Sequence, residues 1–357
     1  MPVCPNSLHP HSHAVTGLKR HCGSSSADLR EHSGKCLTIG LVNNMPDTAL
    51  EATERQFVSL LNAASAGISI RLMRYALPDI PRGEAAACHI EKFYSSVEDL
   101  WDTHLDGLIV TGREPLTPNL KDEPYWRSFT KLLEWAQENT RSTVWSCLAA
   151  HAAVLHTDGI GRVRNSEKQS GIFECTRVSE HRLTAGAPSS FRLPHSRWNG
   201  LPEESLMDRG YSVLTRTAEA GVDTFVKQQK SLFVYFQGHP EYESDTLLRE
   251  YRRDAGRYLK GETDAYPSMP RNYFDEETSA ALTALQEKAM LSRNEELQGE
   301  LSSVLCLRSI ENTWQSTAAG IYKNWLEYIR SKKEIKLQPA PVNIIVGAQR
   351  VTGPAAI

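Results

Sequence analysis

Cys147 and His239 stand where the chain can do covalent chemistry. Cys147 follows the apolar run Ser142–Ser146 (STVWS) and precedes a stretch of small residues, 148–156 (LAAHAAVLH). That order reads as a buried strand, a tight turn and a helix. A thiol on such a turn faces the free N–H groups of the helix start, with Leu148 N–H first among them. Those groups favour a thiolate and can hold an oxyanion. A second apolar run, Leu232–Phe236 (LFVYF), leads into Gly238-His239-Pro240-Glu241. His239 then lies just past a strand end, and Glu241 can hold its imidazole in one tautomer. Cys147, His239 and Glu241 make a nucleophile, a base and an orienter. Taken singly, a cysteine is more often a small buried hydrophobe and a histidine a surface residue. Their shared position at two strand ends is what points to a site.

Other elements must bring the two turns together. Residues 37–42 (LTIGLV) read as a buried strand, and 50–64 as an amphipathic helix with Phe57, Leu60 and Leu61 on one face. Residues 68–75 alternate as a strand does, 97–101 are helical, and 107–110 form an apolar strand ending in Thr111-Gly112. Residues 125–137 are a helix. This β/α alternation predicts a mostly parallel sheet with helices on both faces. Beyond Gly171 the strands are shorter, at 172–178, 211–215 and 224–228, and 245–258 form a charged helix. Pro267 to Pro270 mark a boundary, and residues 276–332 read as helical.

The expected organisation is a disordered tail over 1–35, a catalytic domain over 36–262, a helical region over 263–335 packed on it, and a loose tail over 336–357. The N-terminal tail holds Cys4, His9, His11, His13, His21 and Cys22 without the regular spacing of a zinc module, so no metal is expected there. Apolar content of 40% and charged content of 23% over 357 residues suit a globular protein. A net charge of −3 argues against non-specific nucleic-acid binding. No apolar run reaches the roughly 18 residues of a bilayer span, and the N-terminus lacks a signal-peptide core. The protein is expected to be cytoplasmic, without membrane or nucleic-acid partners, with its seven cysteines reduced.

A set of short motifs occurs in one order. It comprises Asn44-Met45-Pro46, Thr53-Glu54-x-Gln56-Phe57, Thr111-Gly112, Tyr125-Trp126, Cys147-x-Ala149-Ala150, Glu167-Lys168-x-Ser170-Gly171, Pro194-His195-Ser196-Arg197, Gly238-His239-Pro240-Glu241-Tyr242 and Arg253-Asp254. Over roughly residues 36–332 the chain resembles the homoserine O-succinyltransferase family, including its acetyl-transferring members. The resemblance implies a flavodoxin-like fold of the class I glutamine amidotransferase type. It implies that Cys147 takes the acyl group from an acyl-CoA, that His239 activates first Cys147 and then the acceptor hydroxyl, and that Glu241 orients His239. Lys168, Ser196 and Arg253 match family positions that contact the substrate. Arg253 can offer an amino-acid carboxylate a bidentate fork. Acyl-CoA is then a co-substrate and no bound cofactor is implied. Oligomeric state is open, with a homodimer kept as an expectation.

The chain also departs from the family pattern. Asp47-Thr48 stand where lysine usually follows the Asn-x-Met-Pro motif, and His151 stands where glutamine is common four residues after the nucleophile. The position that tracks acyl choice, usually glycine for succinyl and glutamate for acetyl, falls on Leu116. Acyl identity is therefore open. Arg113 or Arg192 could pair with a succinyl carboxylate. These departures suggest a divergent subgroup, with another hydroxy amino acid such as serine as an alternative acceptor. A glutamine amidotransferase or hydrolase could use the same triad, but Trp145 and Ala149 replace the glycines that flank its nucleophile. A non-catalytic scaffold on this fold is the third reading.

Overall fold

The computed structural model describes residues 36–306 and 310–337. The N-terminal Cys/His tail and the tail from residue 338 lie outside the described residues. The chain runs β1 (Cys36–Val42), α1 (Asp47–Ala64), β2 (Ser69–Tyr75), α2 (Glu84–Phe93), α3 (Val97–Asp102) and β3 (Gly107–Thr111). Then come α4 (Trp126–Asn139), β4 (Ser142–Ser146), α5 (Leu148–Asp158), β5 (Val163–Arg177), β6 (Ser190–Gly200) and α6 (Glu203–Asp208). Short strands β7 (Ser212–Val213), β8 (Thr215–Thr217) and β9 (Gly221–Val222) precede β10 (Thr224–Gln228) and β11 (Leu232–Phe236). Helices α7 (Thr246–Leu259), α8 (Glu276–Leu291), α9 (Leu297–Cys306) and α10 (Gln315–Leu337) complete the described residues.

Seven strands form the main sheet in the order β2-β1-β3-β4-β11-β10-β7. The first five are parallel, and β10 and β7 add antiparallel partners at one edge. Both faces are apolar, and side chains alternate between them. Leu232, Val234 and Phe236 of β11 join the core under α1 and α10, whereas Phe233 and Tyr235 join the core under α4 and α5. The helices on both faces and the helical C-terminal region match the expected architecture. Helix α10 packs so closely that a Cβ on Gly107 would meet Ile329 Cδ1 at 2.6 Å and Trp325 Cζ2 at 3.1 Å. Trp325 Nε1 donates to Ser142 Oγ at 2.9 Å, and Lys333 Nζ donates to Asp106 Oδ2 at 2.8 Å. The C-terminal helix is thereby tied to the central strands. Among the described residues no helix is long and apolar enough to cross a membrane.

Several local expectations differ from what forms. The strand expected at 172–178 is the second half of a 15-residue strand, β5. It pairs with β6 in a separate four-stranded antiparallel sheet, β6-β5-β8-β9. The polar first half of β5 gives no apolar alternation, and its register against β6 shifts between Arg164 and Gln169. Such a bulge re-aims side chains, and Lys168 sits at its end. The strand expected at 211–215 is two strands in two sheets. β7 pairs with β10, and after Leu214 β8 pairs with β5. Helix α2 follows a segment, 76–83, that carries no periodic signal.

Candidate active site

The C-terminal ends of β3, β4 and β11 lie side by side, because Thr111, Ser146 and Phe236 share one register row. The next residues of each strand build the site, as expected at the carboxyl edge of an open α/β sheet. Cys147 has φ +52° and ψ −113°, an unfavourable conformation for a residue with a Cβ. Such strain costs on the order of 1–3 kcal/mol and persists where the surroundings impose it. Here Cys147 N donates to Phe236 O at 2.7 Å, which couples the turn at Cys147 to the strand that leads to His239. Leu148 opens α5, so its N–H has no intrahelical acceptor. Gly112 packs directly on this helix start. A Cβ there would sit 2.7 Å from Leu148 N and 2.9 Å from Ala149 N, so only glycine lets the β3 loop approach.

His239 and Glu241 are both buried, and His239 Nδ1 lies 2.8 Å from Glu241 Oε1. Nε2 is left for the thiol. Burial disfavours a charged ring, but Glu241 and then Cys147 outweigh it and hold the imidazole well above the ordinary histidine range. Both groups favour the imidazolium form of His239 beside the Cys147 sulfur. Tyr242 stacks on the ring at 4.1 Å, and Trp314 Nε1 from the C-terminal region donates to Tyr242 O at 2.9 Å.

A cavity of about 1050 Å³ opens over this group, at the upper end for small-molecule sites. Cys147, Leu148, His239, Glu241, Lys168, Ser196, Arg253 and Leu116 all line it. Arg192 does not; it lies exposed on β6 opposite Glu174. The three expected substrate contacts converge through carboxylates that the sequence reading left without a role. Ser196 Oγ donates to Glu250 Oε2, and Tyr242 OH donates to Glu250 Oε1 at 2.7 Å. Lys168 Nζ is 3.0 Å from Asp254 and 3.8 Å from Glu250, while Arg253 pairs with Asp254 at 2.8 Å. The i, i+4 spacing of Glu250 and Asp254 places both on one helix face without saying what that face meets.

His151 is buried on the cavity wall, its Nε2 2.8 Å from Gln237 Oε1. Gln237 gives its amide N–H to Val222 O, so its carbonyl faces the ring and Nε2 carries the proton. Burial, with Arg197 adding to it, brings His151 down to about 3 and keeps it neutral. Behind the His239 loop, Asp223 accepts Gly238 N–H at 3.1 Å, Thr215 Oγ1 at 2.8 Å and Thr224 Oγ1 at 2.7 Å. Cys175, His195 and Asp223 bring one potential ligand atom each within 4.8 Å of the others. Arg197 Nε lies 3.3 Å from His195 Nδ1. A fixed guanidinium there disfavours a cation, and Asp223 is already engaged, so this group fits a brace for Gly238 better than a metal site.

The family model described as Homoserine O-succinyltransferase matches residues 10–335. A homoserine O-succinyltransferase from Rhodopseudomonas palustris is 44% identical over 319 residues, covering 89% of this chain and 95% of the relative. One from Bradyrhizobium japonicum is 46% identical over 311 residues, covering 85% and 94%. Among solved structures, a glutamine amidotransferase from Thermotoga maritima is similar at 13% identity and a TM-score of 0.43, covering 76% of this chain and 96% of that one. At 44–46% identity over most of both sequences, the chain belongs to the homoserine O-succinyltransferase family.

Proposed function

We propose that this protein transfers a succinyl group, with acetyl as the alternative, from acyl-CoA to the hydroxyl of L-homoserine, the reaction type of methionine biosynthesis. The observation that carries the reading is the buried His239–Glu241 ion pair beside a cysteine held on a strained turn at a helix start. The Cys147 thiolate attacks the thioester carbonyl carbon, and the resulting oxyanion meets Leu148 N–H. Collapse expels the CoA thiolate, which takes the proton from His239 Nε2. Neutral His239 then takes the proton of the homoserine hydroxyl as its oxygen attacks the acyl carbon. Collapse returns Cys147 as thiolate opposite imidazolium, the starting state. A thiolate suits thioester exchange, and the hydroxyl needs the base.

Homoserine would lie against the Lys168–Ser196–Arg253 side of the cavity. Arg253 can take its carboxylate, and Glu250 with Asp254 can take its ammonium. No bound cofactor is needed. A reducing, cytoplasmic setting keeps Cys147 free, as are Cys36, Cys88 and Cys175 among the described residues. The test is turnover with succinyl-CoA and acetyl-CoA against homoserine and serine. Transfer to homoserine supports the reading. Hydrolysis of glutamine without acyl transfer would replace it with the amidotransferase one.

A further inference from the structure

We infer that Arg113 selects the acyl donor by binding the free carboxylate of a dicarboxylic acyl thioester, which makes the donor succinyl rather than acetyl. This rests on the acyl-transfer reading above. Of the two arginines that could pair with such a carboxylate, Arg192 lies off the cavity, and Arg113 lines it. Arg113 directly follows Gly112, whose backbone touches the helix start at Cys147. A side chain from this loop can thus reach an acyl group seated on the thiol. Its Nη1 is buried without a hydrogen-bond partner, and its Nε donates to its neighbour Glu114 O at 3.3 Å.

Other cations on the cavity wall are held elsewhere, apart from Arg164, which is exposed and lies over the Trp198 ring at 4.5 Å. Lys168 and Arg253 pair with Asp254, and Arg249 pairs with Glu243 and Asp245. Arg162 also has a buried Nη1 without a partner, but its Nη2 donates to Pro118 O at 2.9 Å and its charge lies near that of the buried Glu123. The carboxylate that feels Arg113, Asp47, is already held by Gly83 N–H at 2.7 Å and by Arg82 at 3.2 Å. Arg113 is therefore a cavity cation with no ion pair of its own among the described residues. An acetyl group ends in a methyl and offers it nothing. A succinyl group ends in a carboxylate two methylenes from the reacting carbonyl, and an arginine fork binds such an anion bidentately. Leu116, on the same loop, can cover the methylenes.

The test compares wild type, Arg113→Gln and Arg113→Lys. It reads kcat/KM for succinyl-CoA and for acetyl-CoA at saturating homoserine, together with the homoserine KM. Alkylation of Cys147 by iodoacetamide checks that each variant keeps its site. The expected result is a wild type that prefers succinyl-CoA, a succinyl-to-acetyl ratio that falls at least tenfold in Arg113→Gln, and partial recovery in Arg113→Lys. An unchanged ratio, an equal loss with both donors, a raised homoserine KM with the ratio intact, or a wild type that prefers acetyl-CoA overturns the inference and leaves acyl transfer standing. A wild type that uses neither donor overturns both.

Discussion

Replacing Glu241 by glutamine removes the charge that holds His239 protonated while keeping its size and an acceptor for Nδ1–H. The pair is separated by 2.8 Å and buried. Among the described residues Glu241 Oε2 has no hydrogen-bond partner, so His239 is the cation hydrogen-bonded to this carboxylate. A hydrogen bond to a charged group is worth about 1.5–3 kcal/mol against about 1 kcal/mol for a neutral one. At about 1.36 kcal/mol per pKa unit that difference, about 0.5–2 kcal/mol, is roughly 0.4–1.5 units. Two unit charges about 4 Å apart at an effective dielectric of about 20 interact by about 4 kcal/mol, which bounds the fall at roughly three units. The imidazolium must protonate the leaving CoA thiolate. The alkaline limb of Cys147 acylation, followed as kcat/KM for acyl-CoA against pH, should therefore move down by roughly half a unit to three units. Stability follows the same sign. A histidine whose folded pKa is raised contributes fully below its unfolded value, about 6.5, and loses that contribution as pH rises through the folded value. The Tm deficit of Glu241→Gln should accordingly be largest near pH 6 and shrink above it. An unmoved alkaline limb would refute the ion-pair assignment, and a loss as severe as that of His239→Asn would mean Glu241 does more than orient.

Arg253→Lys should raise the homoserine KM while leaving acylation of Cys147 by acyl-CoA nearly unchanged. The side chain is 39% exposed, so screening keeps the effect near the low end, roughly tenfold. Unchanged KM would make Arg253 a surface ion pair with Asp254. Gly112→Ala forces a Cβ against Leu148 N and Ala149 N. Displacing the oxyanion donor by up to about 1 Å should slow acylation by as much as roughly 10²-fold while circular dichroism stays that of the native fold. A full acylation rate would show that Leu148 N–H does not hold the oxyanion.

The two ends of the proposed catalytic group were legible because each is a local pattern. A strand of five buried residues running into small helical residues fixes where Cys147 sits, and a second apolar strand fixes His239. The roles of Glu250 and Asp254 were not legible. Their helix α7 shows its face plainly, but what that face meets comes from β5 and β6, far away in sequence. β5 was half unread because residues 164–168 are polar and the strand is bulged there. Pairing across a second sheet is a tertiary fact with no period of its own. The division at Leu214 is of the same kind. Leu214 N donates to Thr224 O and Leu214 O accepts from Val178 N, so one residue bridges the two sheets. The choice between Arg113 and Arg192 also waited on the fold, since exposure and an unpartnered nitrogen cannot be read from residue type.

The most direct measurement is the intact mass of the protein mixed with succinyl-CoA in the absence of homoserine, followed by peptide mapping. A single succinyl adduct on Cys147 should form, disappear when homoserine is added, and be missing in Cys147→Ala, which should keep the native fold. Acyl transfer to homoserine at full rate in Cys147→Ala, or an adduct on any other residue with Cys147 unmodified, would contradict the acyl-enzyme mechanism.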